Sequence, residues 1–194
     1  MGHKEELLEG AKKSLLELGF ARTTARDIVA RSGTNLASIG YHFGSKDALM
    51  LEAITSAMED WGNVVATAPQ GIEYDRPDEK FVAVWTQIIE SFHRDRPLMV
   101  ASFEALIEAE HNPILKQILV QAYPASSEDL PEQFLTVEET LEPSARAALG
   151  KVLLALISGV LTQYMVDPKT APDANQLLVG LTLLGRLLGN NSKG

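Results

Sequence analysis

Residues 32–49 read SGTNLASIGYHFGSKDAL, which crowds a tyrosine, a histidine, a Gly-Ser turn and a lysine into one short stretch. No nucleophile–base pair can be assembled from these types at this spacing. Elsewhere the chain has no cysteine, no Gly-x-Ser-x-Gly, no glycine-rich phosphate loop and no His-x-x-x-His, so no catalytic residues and no cofactor are expected. Glu108 and His111 stand three apart, a spacing a metal could use, but no second histidine lies nearby, and a surface pair is the better reading. No metal is expected. What the stretch does offer is a short segment of small side chains, Leu36, Ala37, Ser38 and Gly40, that lets a backbone come close to another surface. Lys46 begins the next helix, where a cation is disfavoured by the helix dipole, so its placement suggests an anionic partner.

The elements that must position these residues are helical almost throughout. Leu7, Leu8, Ala11, Leu15 and Leu18 form one stripe at spacings of three and four, closed by Gly19. Thr24 precedes Asp27 by three residues, a capping box in which Asp replaces the usual Glu or Gln. Ile28 and Val29 give that helix its apolar face and Gly33 ends it. Asn35 caps the next short helix, which ends near Phe43, and Ser45 opens a long one running to about Thr67. The stretch APQGIEYDRPDEK is the clearest break. Beyond it the pattern predicts helices over about 78–95, 97–110, 113–122, 127–141, 144–166 and 174–189, with prolines, Pro124 among them, marking most boundaries. No credible strand occurs. The expected class is all-α, with a helix-turn-helix head over 1–50 and a larger helical region over 51–194.

Two short helices joined by a glycine-containing turn, with a longer helix in front, describe a helix-turn-helix over about 24–43. The second helix of such a motif lies in the major groove of duplex DNA. Asn35 at its cap, then Leu36, Ala37, Ser38 and Gly40, would face the groove, while Ile39 and Phe43 anchor the helix on Ile28 and the first stripe. Charge agrees: residues 1–50 hold seven Lys or Arg against six acids, although the whole chain carries −9, so a near-neutral head precedes an acidic body that DNA would repel.

The segment FARTTARDIVARSGTNLASIGYHFGSKDAL resembles the DNA-binding region of the tetracycline-repressor (TetR) family of bacterial transcriptional regulators. The likeness runs over roughly residues 5–55, through Gly19-Phe20, Thr23-Thr24, Asp27-Ile28, Gly33, Tyr41-His42-Phe43, Lys46 and Leu49. Beyond residue 60 it is one of length and helix pattern. The resemblance implies that Thr24 caps its helix or meets a phosphate, and that Arg26 reaches a base, where a guanidinium can clamp guanine O6 and N7. It implies phosphate contacts for Tyr41, His42 and Lys46, which set register more than sequence. Many members carry Tyr where this chain has Gly40, which puts one contact in doubt.

In the body, Leu153, Leu156, Ile157, Val160 and Leu161 belong to a wide apolar stripe. The last helix, NQLLVGLTLLGRLLG, is apolar on nearly every side, with Leu177, Leu181, Leu184 and Leu188 along it. Helices apolar all round need several partners, so the last two helices are expected to pair with their copies across a two-fold axis. The resemblance favours the same homodimer. It also implies a small-molecule effector enclosed by the middle helices, with Trp85, Ile88, Phe92, Met99, Phe103 and Tyr123 as candidate contacts, although any helical core would contain such residues.

The chain is long enough, at 194 residues and 45% hydrophobic, for a real core. The absence of cysteine and of an apolar leader in Met1–Glu6 leads to the expectation of a cytoplasmic protein. With Ser158, Thr162 and Gln163 breaking its most apolar run, no membrane association is expected. The resulting expectation is a sequence-specific DNA-binding regulator, a repressor released from a near-palindromic operator by a small effector. The alternative is an all-α ligand- or partner-binding protein whose head does not read DNA.

Overall fold

A computed structural model describes residues 2–67, 74–135 and 141–190, without the side chains of residues 67, 123–126 and 190. The described residues are helical, in the order α1 (His3–Leu18), α2 (Ala25–Ser32), α3 (Leu36–Phe43), α4 (Lys46–Thr67), α5 (Pro77–Arg94), α6 (Arg96–Glu108), α7 (Pro113–Glu128), α8 (Leu130–Phe134), α9 (Pro143–Val166) and α10 (Ala174–Asn190). The chain divides into two compact units. One holds Met1–Val64 with Asp95–Tyr123, the other Val65–Arg94 with Pro124–Gly194. The first unit therefore takes in α6 as well as the head.

Within the first unit, local chemistry sets the helix ends. The Thr24 hydroxyl accepts from the Asp27 N–H at 3.2 Å while the Asp27 carboxylate accepts from the Thr24 N–H at 2.9 Å, which closes the capping box. Asn35 accepts from Ser38 N–H at 3.1 Å, and Ser45 from Ala48 N–H at 3.0 Å. Gly33 ends α2 in the left-handed region, φ 70°, where a Cβ would be strained. Leu7, Leu15, Ile28, Leu49 and Met50 are fully buried and form the core of the head. Gly10 lets α1 and α2 touch: a Cβ there would stand 2.7 Å from the Ser32 Cβ and 2.9 Å from the Ile28 carbonyl oxygen. Lys12–Asp60 at 2.8 Å and Lys4–Glu52 at 3.4 Å bridge α1 to α4. Such exposed pairs contribute at most about 1 kcal/mol each. Burial of the leucine stripe carries the packing.

In the second unit α5 is the central helix, packed by α8, α9 and α10. Val84, Trp85, Ile88 and Phe92 line its buried face. Phe81, Trp85 and Phe134 form a tilted aromatic cluster with centroids 5.8–6.2 Å apart, and Phe92 meets Tyr164 at 5.9 Å.

Two expected helix ends are corrected by the structure. Helix α7 runs through Pro124 to Glu128 rather than stopping near residue 122; a proline costs a helix one hydrogen bond and bends it, without always ending it. In place of a helix over 127–141 stands the short α8; residues 136–140 lie outside the described ones. Helix α9, despite its polar interruptions, is long and apolar enough to cross a membrane by length and composition, with an 18-residue window of mean hydropathy 1.6. Its scattered hydroxyls are averaged away by that window. One such helix is weak evidence for a membrane, since core helices of soluble proteins meet the same criterion.

Candidate nucleic-acid interface

Helix α3 is eight residues long, and its periodicity sorts its side chains into two faces. At about 100° per residue, positions 36, 37, 40 and 41 fall together and 38, 39 and 42 opposite them. Leu36 and Tyr41 are 51% and 85% exposed, and Ala37 and Gly40 are exposed beside them. A Cβ built on Gly40 meets nothing within 4 Å. Ile39 is buried at 4% and Ser38 at 8%. Ser38 was expected on the outward face; its position on the helix turns it into the head instead, and it leaves the candidate contact set. Asn35 is committed through its side chain to the α3 cap.

His42 is half-buried, edge-on to Tyr41 with ring centroids 4.8 Å apart and to Phe43 at 6.4 Å. Phe43 in turn lies under the Lys4 ammonium, 5.5 Å from the ring centroid. Packing on both sides fixes the direction of the imidazole. Tyr41 lends its ring to that contact and stays exposed. An exposed tyrosine hydroxyl beside Ala37 and Gly40 can donate to an anionic oxygen.

Helix α2 places Arg26 one turn inside its N-terminus. Arg26 is exposed and has no carboxylate or carbonyl partner among the described residues, whereas Arg31 is held by Glu17 at 2.6 Å and Arg22 donates to the Leu18 carbonyl at 2.8 Å. Of the three head arginines, Arg26 alone among the described residues is left with its full fork of donors for an external group. Thr24 beside it is exposed, but its hydroxyl is already used: it donates to the Asp27 carboxylate at 2.5 Å. That hydroxyl first, then the Thr24 N–H, hold the Asp27 carboxyl below its ordinary value, with Arg31 adding to the effect and burial opposing it. Lys46 is half-buried and shares its ammonium between Asp47 at 3.2 Å and the Thr23 carbonyl at 3.3 Å. This internal pairing supplies the anion that a lysine at a helix start calls for.

The effector candidates are distributed over both units. Trp85, Ile88 and Phe92 lie buried on α5 in the second unit. Met99 and Phe103 lie on α6 in the first, Met99 fully buried. The side chain of Tyr123 is outside the described residues. Among the described residues of the second unit, the Trp85 indole Nε1 and the Gln133 carboxamide Oε1 are buried without a hydrogen-bond partner. Nothing in the sequence singled out this pair, because periodicity reports burial and says nothing of whether a buried donor finds an acceptor.

The expected pairing residues on α9 and α10 divide. Leu153, Ile157, Val160 and Leu161 are all at most 9% exposed, so they supply the chain's own core; α9 turns that side toward α5 and α8. Leu156, Leu177 and Leu181 are less completely covered. Leu184 and Leu188 are 51% and 65% exposed, and they share the surface of α10 with Val179, Leu183 and Leu187; on α9 Val152 is exposed within the helix and Val166 at its C-terminal end. The apolar stripe seen in sequence thus serves two surfaces, and sequence spacing alone cannot separate them.

A long helix, two short capped helices at a tight turn and a second helix with a bare outward face define a helix-turn-helix protein with an attached helical body. Residues 7–53 match the family described as bacterial regulatory proteins, tetR family. Residues 76–185 match the tetracyclin repressor-like C-terminal domain. The chain belongs to the TetR family of bacterial transcriptional regulators. Among curated proteins it is similar to the Probable HTH-type transcriptional regulator YttP of Bacillus subtilis (strain 168), 26% identical over 95 residues; the match spans 49% of this chain and 46% of that relative, about half its length. Among solved structures, the multidrug binding protein EbrR complexed with proflavin aligns with a TM-score of 0.67 at 22% identity, over 94% of this chain and 99% of that one. A TetR transcription regulator from Haloarcula marismortui ATCC 43049 aligns with a TM-score of 0.60 at 18% identity, over 95% of each. These two likenesses establish the fold.

Proposed function

We propose that the protein is a homodimeric, sequence-specific DNA-binding repressor, released from its operator by a small molecule. The observation that carries the reading is the outward face of α3, four exposed residues with little bulk at Ala37 and Gly40, next to the one head arginine among the described residues without an internal partner. Arg26 is the base reader; Tyr41 donates to a backbone phosphate and His42 buttresses it. Lys46 acts chiefly inside the head. The dimer forms through the exposed aliphatic surface of α10 with Val152 of α9, which gives that surface a partner other than lipid and presents two heads to a near-palindromic site. The protein works in the cytoplasm and is not an enzyme.

The effector binds against the aromatic cluster of Phe81, Trp85 and Phe134. Among the described residues Trp85 leaves an N–H unsatisfied and Gln133 a carbonyl oxygen, and a buried unpaired group costs about 1–3 kcal/mol. A planar, uncharged molecule with both an acceptor and a donor relieves both. EbrR holds proflavin, a flat tricyclic dye; a flat ligand suits this cluster too, but the unmet groups here are neutral. The test is operator binding by the wild type, Arg26→Ala and Lys46→Gln, followed by release with a panel of neutral and cationic planar aromatics. The reading expects lost operator affinity in Arg26→Ala with unchanged folding, and release by a neutral compound that Trp85→Phe no longer senses. A head that folds but binds no duplex would favour the ligand-binding alternative.

A further inference from the structure

We propose that Glu104, on α6, is a positioning residue for DNA recognition that holds the turn in front of α2. The turn between α1 and α2 has no helical hydrogen bonds of its own to offer its N–H groups. Phe20 N–H donates to the Glu104 Oε2 at 2.6 Å and Ala21 N–H donates to the same oxygen at 3.3 Å. The partners are 84 and 83 residues apart in sequence. Gly19 makes room for the carboxylate: it sits at φ +86°, and a Cβ there would stand 2.6 Å from Glu104 Oε2. Bonds from N–H to carboxylate are roughly twice as strong as neutral ones.

From that carboxylate a short chain of contacts leads to the DNA-facing residues. Thr23, 2% exposed, donates its hydroxyl to the Gly19 carbonyl at 2.7 Å and meets the Ser14 carbonyl at 3.3 Å. Its own carbonyl accepts from Lys46 at the start of α4. The next residue is Thr24, the cap of α2, and Arg26 follows within one turn. One oxygen on α6 therefore fixes the turn that sets the entry of α2 and the aim of Arg26. Helix α6 packs on α1 through this same region. This role rests on the repressor reading above: losing the carboxylate releases two N–H groups at once.

The experiment compares Glu104→Ala with Glu104→Gln in the full-length chain. Both remove one negative charge, which by itself strengthens DNA binding; only Glu104→Ala removes the acceptor oxygen. The expected result is an operator affinity lowered about tenfold in Glu104→Ala and near wild-type behaviour in Glu104→Gln. Amide exchange at Phe20 and Ala21 is read on the same proteins without DNA, and is expected to quicken in Glu104→Ala alone. Unchanged exchange in Glu104→Ala overturns the contact. Faster exchange with unaltered operator affinity overturns the positioning role. Should the wild type bind no operator, the repressor reading fails instead, and the exchange rates still decide whether the carboxylate holds the turn.

Discussion

Helices α3 and α10 each leave surface unused by their own unit, yet the two surfaces are built for opposite partners. On α3 the exposed residues are Leu36, Ala37, Gly40 and Tyr41, with little side-chain bulk at two of the four positions and, on the neighbouring helix, an arginine without a partner among the described residues. On α10 every residue from Thr182 to Gly189 is exposed, and the large apolar ones among the exposed residues are Val179, Leu183, Leu184, Leu187 and Leu188, each more than half exposed. Fully burying a side chain of that kind stabilises by about 1.5–3 kcal/mol, so a patch built from these five asks for another apolar surface. On α3, Ala37 and Gly40 gain little from burial alone. That surface gains from close approach and from hydrogen bonds to a fixed pattern of donors and acceptors. On the proposed reading, recognition is split between the two surfaces: one reads, and the other pairs the readers.

The largest expected effect breaks the α10 side of that contrast. Leu184→Glu with Leu187→Glu is expected to turn a dimer into a monomer by sedimentation and to lower affinity for a two-half-site duplex on the order of 10²- to 10⁴-fold, since the second head then binds without tethering. Next comes the frame that holds α3. Gly10→Ala forces a Cβ against Ser32 and the Ile28 carbonyl, and is expected to cost about 1–3 kcal/mol of stability by urea unfolding.

Arg26→Ala sharpens the reading side: about 1–3 kcal/mol lost for the preferred operator and less for a scrambled duplex, with an unchanged melting temperature. A smaller effect belongs to the cap. Asp27 is held below its ordinary value by Thr24. A depressed carboxylate contributes stability above its unfolded value and loses that contribution as pH falls through the folded one. The wild type is thus expected to lose more stability than Asp27→Asn between neutral pH and the acid side of the usual carboxylate range, by urea midpoints at each pH. Smallest is Gly40→Ala. It removes a helix-interior glycine from open space, and is expected to stabilise by about 0.5–1 kcal/mol while altering operator preference, because on the proposed reading the added methyl faces the duplex.

Much of the head was legible because its rules are local. The Thr24–Asp27 box, the Asn35 and Ser45 caps and the Gly19 and Gly33 ends are each a matter of residues three or four apart, and each forms as the spacing implies. The long leucine stripe likewise announced a buried face. What was not legible depends on contacts distant in the chain. Ser38 turns inward although it is small and polar, since the rotation of α3 is set by Ile39 seating in the core. Leu153, Ile157, Val160 and Leu161 read as one stripe with Leu156, and only the placement of α5 and α8 tells which side is already covered. Pro124 reads as a break, yet α7 continues past it. Glu104 carried no signal at all in sequence, because a carboxylate on one helix has no periodic relation to two N–H groups 84 and 83 residues earlier.

The most direct test is selection of bound duplexes from a random DNA pool by the purified protein, with the affinity of the winning sequence then followed against salt concentration. A near-palindromic consensus with two half-sites, and an affinity falling steeply as salt rises, is the predicted result. Only weak, sequence-indifferent binding would contradict the account of α3 and Arg26 as a reading surface.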